Sequence, residues 1–400
     1  SRTDMGLKNI ASRLKARYID EHQLPEGAKL QLQQDRAGLP EYDAGPTTVA
    51  AAGIEWLKRS QDMSIYCDGG SARDFSLIKG WASSYPETSG YIVPTLIDYA
   101  DRTNDQDLAD CAKRMLDWLV SIQFPEGGFQ GGKVDASPHV PVTFNTGQIL
   151  MGLAAGVRRF GDVYQAPMNL AAAWLRDSLD ADGCWRKYAT PFAAPGEKAY
   201  ETHVSWGLFE AARLSPNQGF GEAGLKQVRW ALTKQSENGW FASNCLEQPA
   251  QPLTHTIGYV LRGLIEAYRF SGEADLLVAA KKTADALLKV IEADGRIAGR
   301  LDHNWKPTVD WVCLTGTVQI AACWFLLHNI IGKDEYIEAA KRANRYVRRT
   351  IHLTGDPDVV GGVRGAFPVN GDYGRFEYLN WAAKFCIDSN LMEFDLDSRG

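Results

Sequence analysis

"QFPEGGF" (residues 123–129) and "QSENGWF" (residues 235–241) carry the same punctuation: Gln, Gly and an aromatic at relative positions 1, 5 and 7. The glycine recurs at Gly69, Gly127, Gly183, Gly239, Gly295 and Gly361, in steps of 58, 56, 56, 56 and 66 residues. Two residues beyond it stand Phe129, Trp185 and Phe241, with Ile297 and Val363 in the later copies. Leu179 replaces the Gln in "LDADGCW", and "CDGGSAR" (residues 67–73) keeps only the glycines. Near-even spacing of this kind marks a repeated supersecondary unit whose neighbours bury one another's apolar faces.

Each copy lies between two kinds of helix. Before it runs an amphipathic one, such as "DLADCAKRMLDWLVSIQ", with apolar residues at three- and four-residue spacing. After it comes a helix apolar nearly all round, such as "NTGQILMGLAAGV" or "CLTGTVQIAACWFLL", which must be buried on every face. Its Gly and Ala residues let neighbouring backbones approach closely. The periodicity predicts half-exposed helices over about 46–60, 106–122, 165–180, 222–236, 273–292 and 334–351. Buried ones are predicted over about 88–101, 145–160, 202–214, 255–271, 312–331 and 376–391. Six such pairs describe an all-α fold, an (α/α)6 toroid over residues 46–400, with an inner ring inside an outer one. Residues 1–45 read as an N-terminal helix and an extended lead-in. An open solenoid would need polar caps at both ends; the even copy length and the count of six favour closure.

Composition narrows the function classes. The chain has 400 residues, 45% of them hydrophobic, enough for a sizeable core. A net charge of −6 without a basic stripe argues against nucleic acid. No stretch reaches the roughly 18–20 uninterrupted apolar residues of a membrane helix. Seven cysteines without paired spacing suit free thiols in a reducing compartment. The expected location is cytoplasmic, with a removed leader left open. Oligomeric state is not legible.

The Gln-x3-Gly-x-aromatic element resembles the repeat of the terpenoid cyclase and prenyltransferase toroids, over roughly residues 46–391 in architecture. Those families' chemistry does not follow: no Asp-x-Asp-Asp run is present, and Asp310 and Cys313 in "VDWVCLTG" depart from the prenyltransferase zinc spacing. The architecture is also similar to that of six-hairpin glycosidases, polysaccharide lyases and sugar epimerases. "GWASSYPETSGYIVPT" resembles prenyltransferase-repeat-like proteins of polysaccharide-assembly clusters. These resemblances imply the fold and a carbohydrate substrate.

In such a toroid the inner helices run the same way, so their N-termini, with unpaired N–H groups and partial positive charge, gather at one mouth. The residues at those starts are Glu87 and Tyr91; Asn145 and Gln148; Glu201, His203 and Trp206; His255 and Tyr259; Gln319; and Glu377, Tyr378, Asn380 and Trp381. Ordinary caps are Ser, Thr, Asp or Asn, so these large polar and aromatic groups point to a ligand pocket. A Glu there can instead merely complement the dipole, and a lone His on an apolar helix is usually a satisfied core residue. Two His at matching positions, "ETHVSW" and "LTHTIGY", weigh against that plainer account. The loop "GRLDHNWKPTVDW" adds Arg300, Trp305 and Asp310, with Trp305 either stacking on a sugar or packing the loop down. Asp135, His139, Arg364, Asp372 and Arg375 lie on other segments expected near the mouth. No metal-ligand spacing occurs, and "GGFQGG" lacks the Lys-Ser/Thr of a phosphate loop, so neither metal nor other cofactor is expected.

Two chemistries compete. Glycoside hydrolysis needs paired carboxyls, with Glu87, Glu201, Glu377 and Asp310 as candidates. A lyase or uronate epimerase needs a base beside a neutralised carboxylate, roles open to His203, His255, Tyr259, Asn145 and Arg300. The surplus of carboxyls favours hydrolysis. A non-catalytic glycan-binding toroid, or one with an apolar isoprenoid pocket, is the reading from another class.

Overall fold

A computed structural model describes residues 20–399 of the chain. The helix expected over the first residues lies outside this range except for its last position. Among the described residues, a short helix, α1 (Glu26–Arg36), precedes six helical hairpins. The outer members are α2 (Pro46–Asp62), α4 (Gln106–Ile122), α6 (Gln165–Asp177), α8 (Phe220–Leu232), α10 (Ala274–Leu288) and α12 (Asp334–Arg348). The inner ones are α3 (Pro86–Thr103), α5 (Thr143–Phe160), α7 (Thr202–Leu214), α9 (Thr254–Ser271), α11 (Leu314–Ile331) and α13 (Asn380–Asp397). Each inner helix packs on the next, and α13 returns to α3, so the ring closes.

The two helix types follow from their sequences. Helix α4 starts on Asp105, whose carboxylate accepts from Leu108 N–H at 3.0 Å, and buries one stripe that includes Leu108, Ala112, Met115 and Leu119. Helix α11 is long and apolar enough to cross a membrane, but 72% of it is buried within the protein. Its apolar surface serves the inner ring.

The repeated glycine has a double reason. Gly239 takes φ +86°, and a Cβ there would lie 2.6 Å from the Lys282 backbone on the next outer helix. At Gly127 the obstacle is Leu170 O at 2.3 Å, and at Gly295 it is Arg342 O at 2.0 Å. At Gly361 it is Ala52 O of α2 at 2.1 Å, so the last turn abuts the first outer helix. The motif's Gln clamps the same junction. Gln123 Nε2 donates to Gly127 O (3.0 Å) and to Pro167 O (3.1 Å), and Gln235 Nε2 donates to Ala279 O (2.8 Å). Gln61 does this in the first copy, donating to Gly69 O and Cys111 O. Phe129, Trp185 and Phe241 are buried beneath these turns.

The sixth inner helix departs from its expected span. It begins at Asn380, because Glu377–Leu379 forms a strand, β5, that pairs antiparallel with β1 (Asp74–Ser76), which also pairs with β2 (Gly80–Trp81). This small sheet ties the last repeat to the first. A second pair, β3 (Val312–Cys313) with β4 (Ala366–Phe367), joins the last two repeats. Leu24, Ala28 and Leu32, the latter two on α1, pack on Val369 and Phe376, and Asp35 pairs with Arg364.

Gly239→Ala is expected to destabilise the fold by about 1–3 kcal/mol through overpacking, beyond a left-handed penalty of about 1–2 kcal/mol. Gly272, at φ +71° with no atom near its missing Cβ, supplies the control that incurs the conformational penalty alone. Urea unfolding of both alanine variants measures the difference.

Candidate active site

The segments that lead into the inner helices enclose a cavity of about 430 Å³, within the usual range for small-ligand sites. Glu87 and Tyr91 reach it from α3, Asn145 from α5, and His255 and Tyr259 from α9. Trp381 enters from α13, and Tyr85, Tyr200 and Tyr373 from the turns before α3, α7 and α13. Its walls are therefore mainly aromatic, with a few polar groups aimed inward.

Burial sets the protonation of those groups. Desolvation raises the Glu87 carboxyl to about 7, against the opposing pull of the Tyr85 hydroxyl and the Arg73 guanidinium. Desolvation lowers His255 to about 4, opposed by its hydrogen bond to Gln319. At neutral pH the cavity thus holds a half-protonated carboxyl and a neutral imidazole. His255 Nδ1 lies 2.7 Å from Gln319 Oε1, and His203 Nδ1 lies 2.6 Å from Gln148 Oε1. With the glutamine oxygens placed against Nδ1, and an amide oxygen only accepting, Nδ1 carries the proton in both rings and Nε2 keeps its lone pair. The two imidazoles flank Tyr259, with ring centroids at 4.3 and 4.5 Å, and the Tyr259 hydroxyl lies 3.2 Å from that of Tyr91.

Arg73 lines the cavity, but its Nη1 already donates to Asp74 (2.7 Å) and Glu377 (2.6 Å) while the guanidinium lies over the Trp381 ring. Its charge is therefore matched within the protein.

The expected site residues divide into four groups. Glu87, Tyr91, Asn145, His255, Tyr259 and Trp381 line the cavity. Gln148, Gln319 and His203 lie behind its lining, and His203 Nε2 is buried without a hydrogen-bond partner. Glu201 opens into an adjoining chamber, because the turn Ala199–Glu201 directs Tyr200 to both cavities and the carboxyl to the second alone.

The fourth group lies elsewhere. Glu377 is engaged by Arg73, and Tyr378, on alternate sides of the same strand, is buried with its hydroxyl toward Gln31. Trp206 lies further along α7, donating to Glu210 beneath the Arg262 guanidinium. Arg300 donates to Gln251 O (2.9 Å), and Trp305 Nε1 donates to Asn238 O (2.9 Å), which is the packing role weighed for it. Asp310 is exposed on a separate outer groove with Asp372 and Arg375. Asp135 accepts from Ser83 and Tyr66, and His139 bonds Gln130. The carboxyls expected to flank one bond thus do not share one cavity: Glu87 alone of the four lines it.

Sequence reading missed Arg73, Tyr85, Phe144, Tyr200 and Tyr373. A signal existed, since each repeat's path from glycine turn to inner helix crosses the mouth, and all five lie on or beside those paths.

No family model and no curated protein matches the chain. Solved structures do. An unsaturated glucuronyl hydrolase specific for heparin superposes with a TM-score of 0.70 at 14% identity, over 88% of this chain and 98% of that one. A sugar epimerase from a ruminal bacterium gives 0.66 at 13% identity, over 90% and 98%. Cellobiose 2-epimerase from Bacillus thermoamylovorans gives 0.66 at 10% identity, over 91% and 99%. At these identities the likeness is one of fold. The chain is an (α/α)6 toroid of the six-hairpin kind.

Tautomer-sensitive ¹⁵N NMR of the imidazoles provides a check: the His255 ring should keep the neutral Nδ1–H pattern from pH 8 down to about pH 4, and Gln319→Leu should remove the preference for Nδ1.

Proposed function

We propose that the protein is a carbohydrate-active enzyme that cleaves a glycosidic bond in a neutral oligosaccharide. The observation that carries this reading is the presence of an acid and a base, Glu87 and His255, in the walls of one aromatic-lined cavity. The names of the similar structures, a glucuronyl hydrolase and two sugar epimerases, support a sugar ligand. The apolar faces of Phe144, Tyr200 and Trp381 suit sugar rings. Two carboxylates, Asp74 and Glu377, balance the Arg73 charge, which favours a neutral sugar; the exposed Lys133 is the other cation of the lining.

In this mechanism protonated Glu87 donates its proton to the glycosidic oxygen as the C1–O bond breaks. A water attacks C1 and gives its proton to Nε2 of His255. Two hydroxyl-bearing products leave, and the proton returns from His255 to Glu87 through solvent. The Tyr259 ring packs at a tilt of 52° against His255 and of 58° against His203. The arrangement replaces the usual second carboxylate with an imidazole.

A second reading, epimerisation, is favoured by the neutral His255 ring, which can take a proton from a carbon next to a sugar carbonyl. Products separate the two. Hydrolysis releases two sugars and places one solvent oxygen in the product, whereas epimerisation gives an isomer carrying solvent deuterium on carbon.

Two outcomes test the cleavage reading. The acid form of Glu87 and the neutral form of His255 are both required. Activity (kcat/KM) should therefore fall as pH rises through about 7 and as it drops through about 4, leaving a plateau between. Glu87→Gln should lower kcat about 10²–10⁴-fold on alkyl glycosides, the usual contribution of a general acid. The loss should be far smaller on a dinitrophenyl glycoside, whose leaving group needs no proton. Equal losses on both substrates would remove Glu87 from the acid role.

A further inference from the structure

Beside the main cavity lies a second chamber of about 300 Å³, and the two share Phe144, Thr190 and Tyr200 as their common wall. The loop between Arg186 and Lys198 covers it. Trp185 and Tyr188 add further aromatic surface. One carboxyl of its lining, more than nine-tenths buried, stands without a partner. Glu201 has neither a hydrogen bond nor an ion pair among the described residues, whereas Thr143 Oγ1, also unbonded, is closed off from the chamber. Buried polar groups left open in this way are uncommon unless something else completes them.

At the chamber's edge Arg186 is held by Asp180, Asp182 and Glu197, and Lys198 Nζ donates to the carbonyls of Cys245 (2.9 Å) and Leu246 (3.1 Å). Desolvation raises Glu201 to about 8, against the opposing field of Lys198, so the carboxyl is mostly the neutral acid at pH 7, with one O–H to donate and one oxygen to accept. Aromatic walls and a neutral carboxylic acid match a neutral, hydroxyl-rich ring.

From this geometry we infer that the side chamber is a second sugar subsite, taking the unit adjacent to the one held against Glu87, with Glu201 bonding its hydroxyls. The inference rests on the carbohydrate reading and deepens it: the substrate is at least a disaccharide, and its linkage crosses the wall formed by Phe144 and Tyr200. Glu201 then discriminates by chain length and takes no part in proton transfer to the scissile oxygen.

The test is calorimetric and uses the full chain in a Glu87→Gln background, so that ligands are not turned over. Probes are the methyl glycosides of glucose, galactose and N-acetylglucosamine, against cellobiose, lactose and chitobiose. Disaccharide affinity is expected to exceed that of the matching methyl glycoside about tenfold. Glu201→Leu should reduce that gain with methyl glycoside affinity unchanged, and Glu201→Gln, which keeps a donor and an acceptor, should restore most of it. Tyr188→Leu, which removes a ring that lines this chamber and not the main cavity, should also reduce the gain and keeps the test decisive if Glu201→Leu fails to fold. A gain that survives both Glu201→Leu and Tyr188→Leu would overturn the subsite while leaving the carbohydrate reading intact. Binding of no probe to any of the proteins would overturn both.

Discussion

One steric contact, repeated around the ring, underlies the architecture: a glycine turn pressed against the backbone of the next outer helix. A side chain at Gly127, Gly239, Gly295 or Gly361 would collide with main-chain atoms that cannot rotate away. A glutamine amide then ties turn to helix in the copies that keep it. The inner ring repeats the device. A Cβ at Gly152 would meet Gly90 O at 2.2 Å, one at Gly207 would meet Gly147 O at 2.5 Å, and one at Gly316 would meet Thr254 at 2.1 Å. Small residues thus set the radius of both rings, and the radius sets how far apart the groups at the mouth stand.

Closure sets the protonation of the mouth groups through desolvation. Ionisable groups carried to the ring's mouth lose water on every side, which disfavours their charged forms. Carboxyls rise and imidazoles fall, so Glu87 and His255 approach neutrality together from opposite directions. The glutamines behind the histidines add orientation to this effect, leaving a defined basic nitrogen on each ring. Arg73 shows the complementary solution, a half-buried cation retained by two carboxylates of its own.

The division of the mouth into two chambers gives the aromatic residues a second role. Phe144 contacts both Tyr200 and Tyr259 edge-on, at 5.3 and 5.1 Å between ring centroids. A wall made of rings presents flat apolar surface to both sides, with Glu87 in one chamber and Glu201 in the other.

The sequence by itself determined the repeat, the helix types and the closed count, because burial periodicity and a glycine at fixed spacing are local properties. Residues in the first two turns of an inner helix, such as Tyr91, His255 and Tyr259, were legible as mouth groups for the same reason. Only the tertiary structure decided which way the remaining candidates face. Glu201 is turned into a side chamber by a single 3₁₀ turn, and Glu377 is claimed by Arg73 through strand pairing with a segment some 300 residues earlier. Strand registry and turn rotation depend on partners distant in the chain, and no local pattern records them.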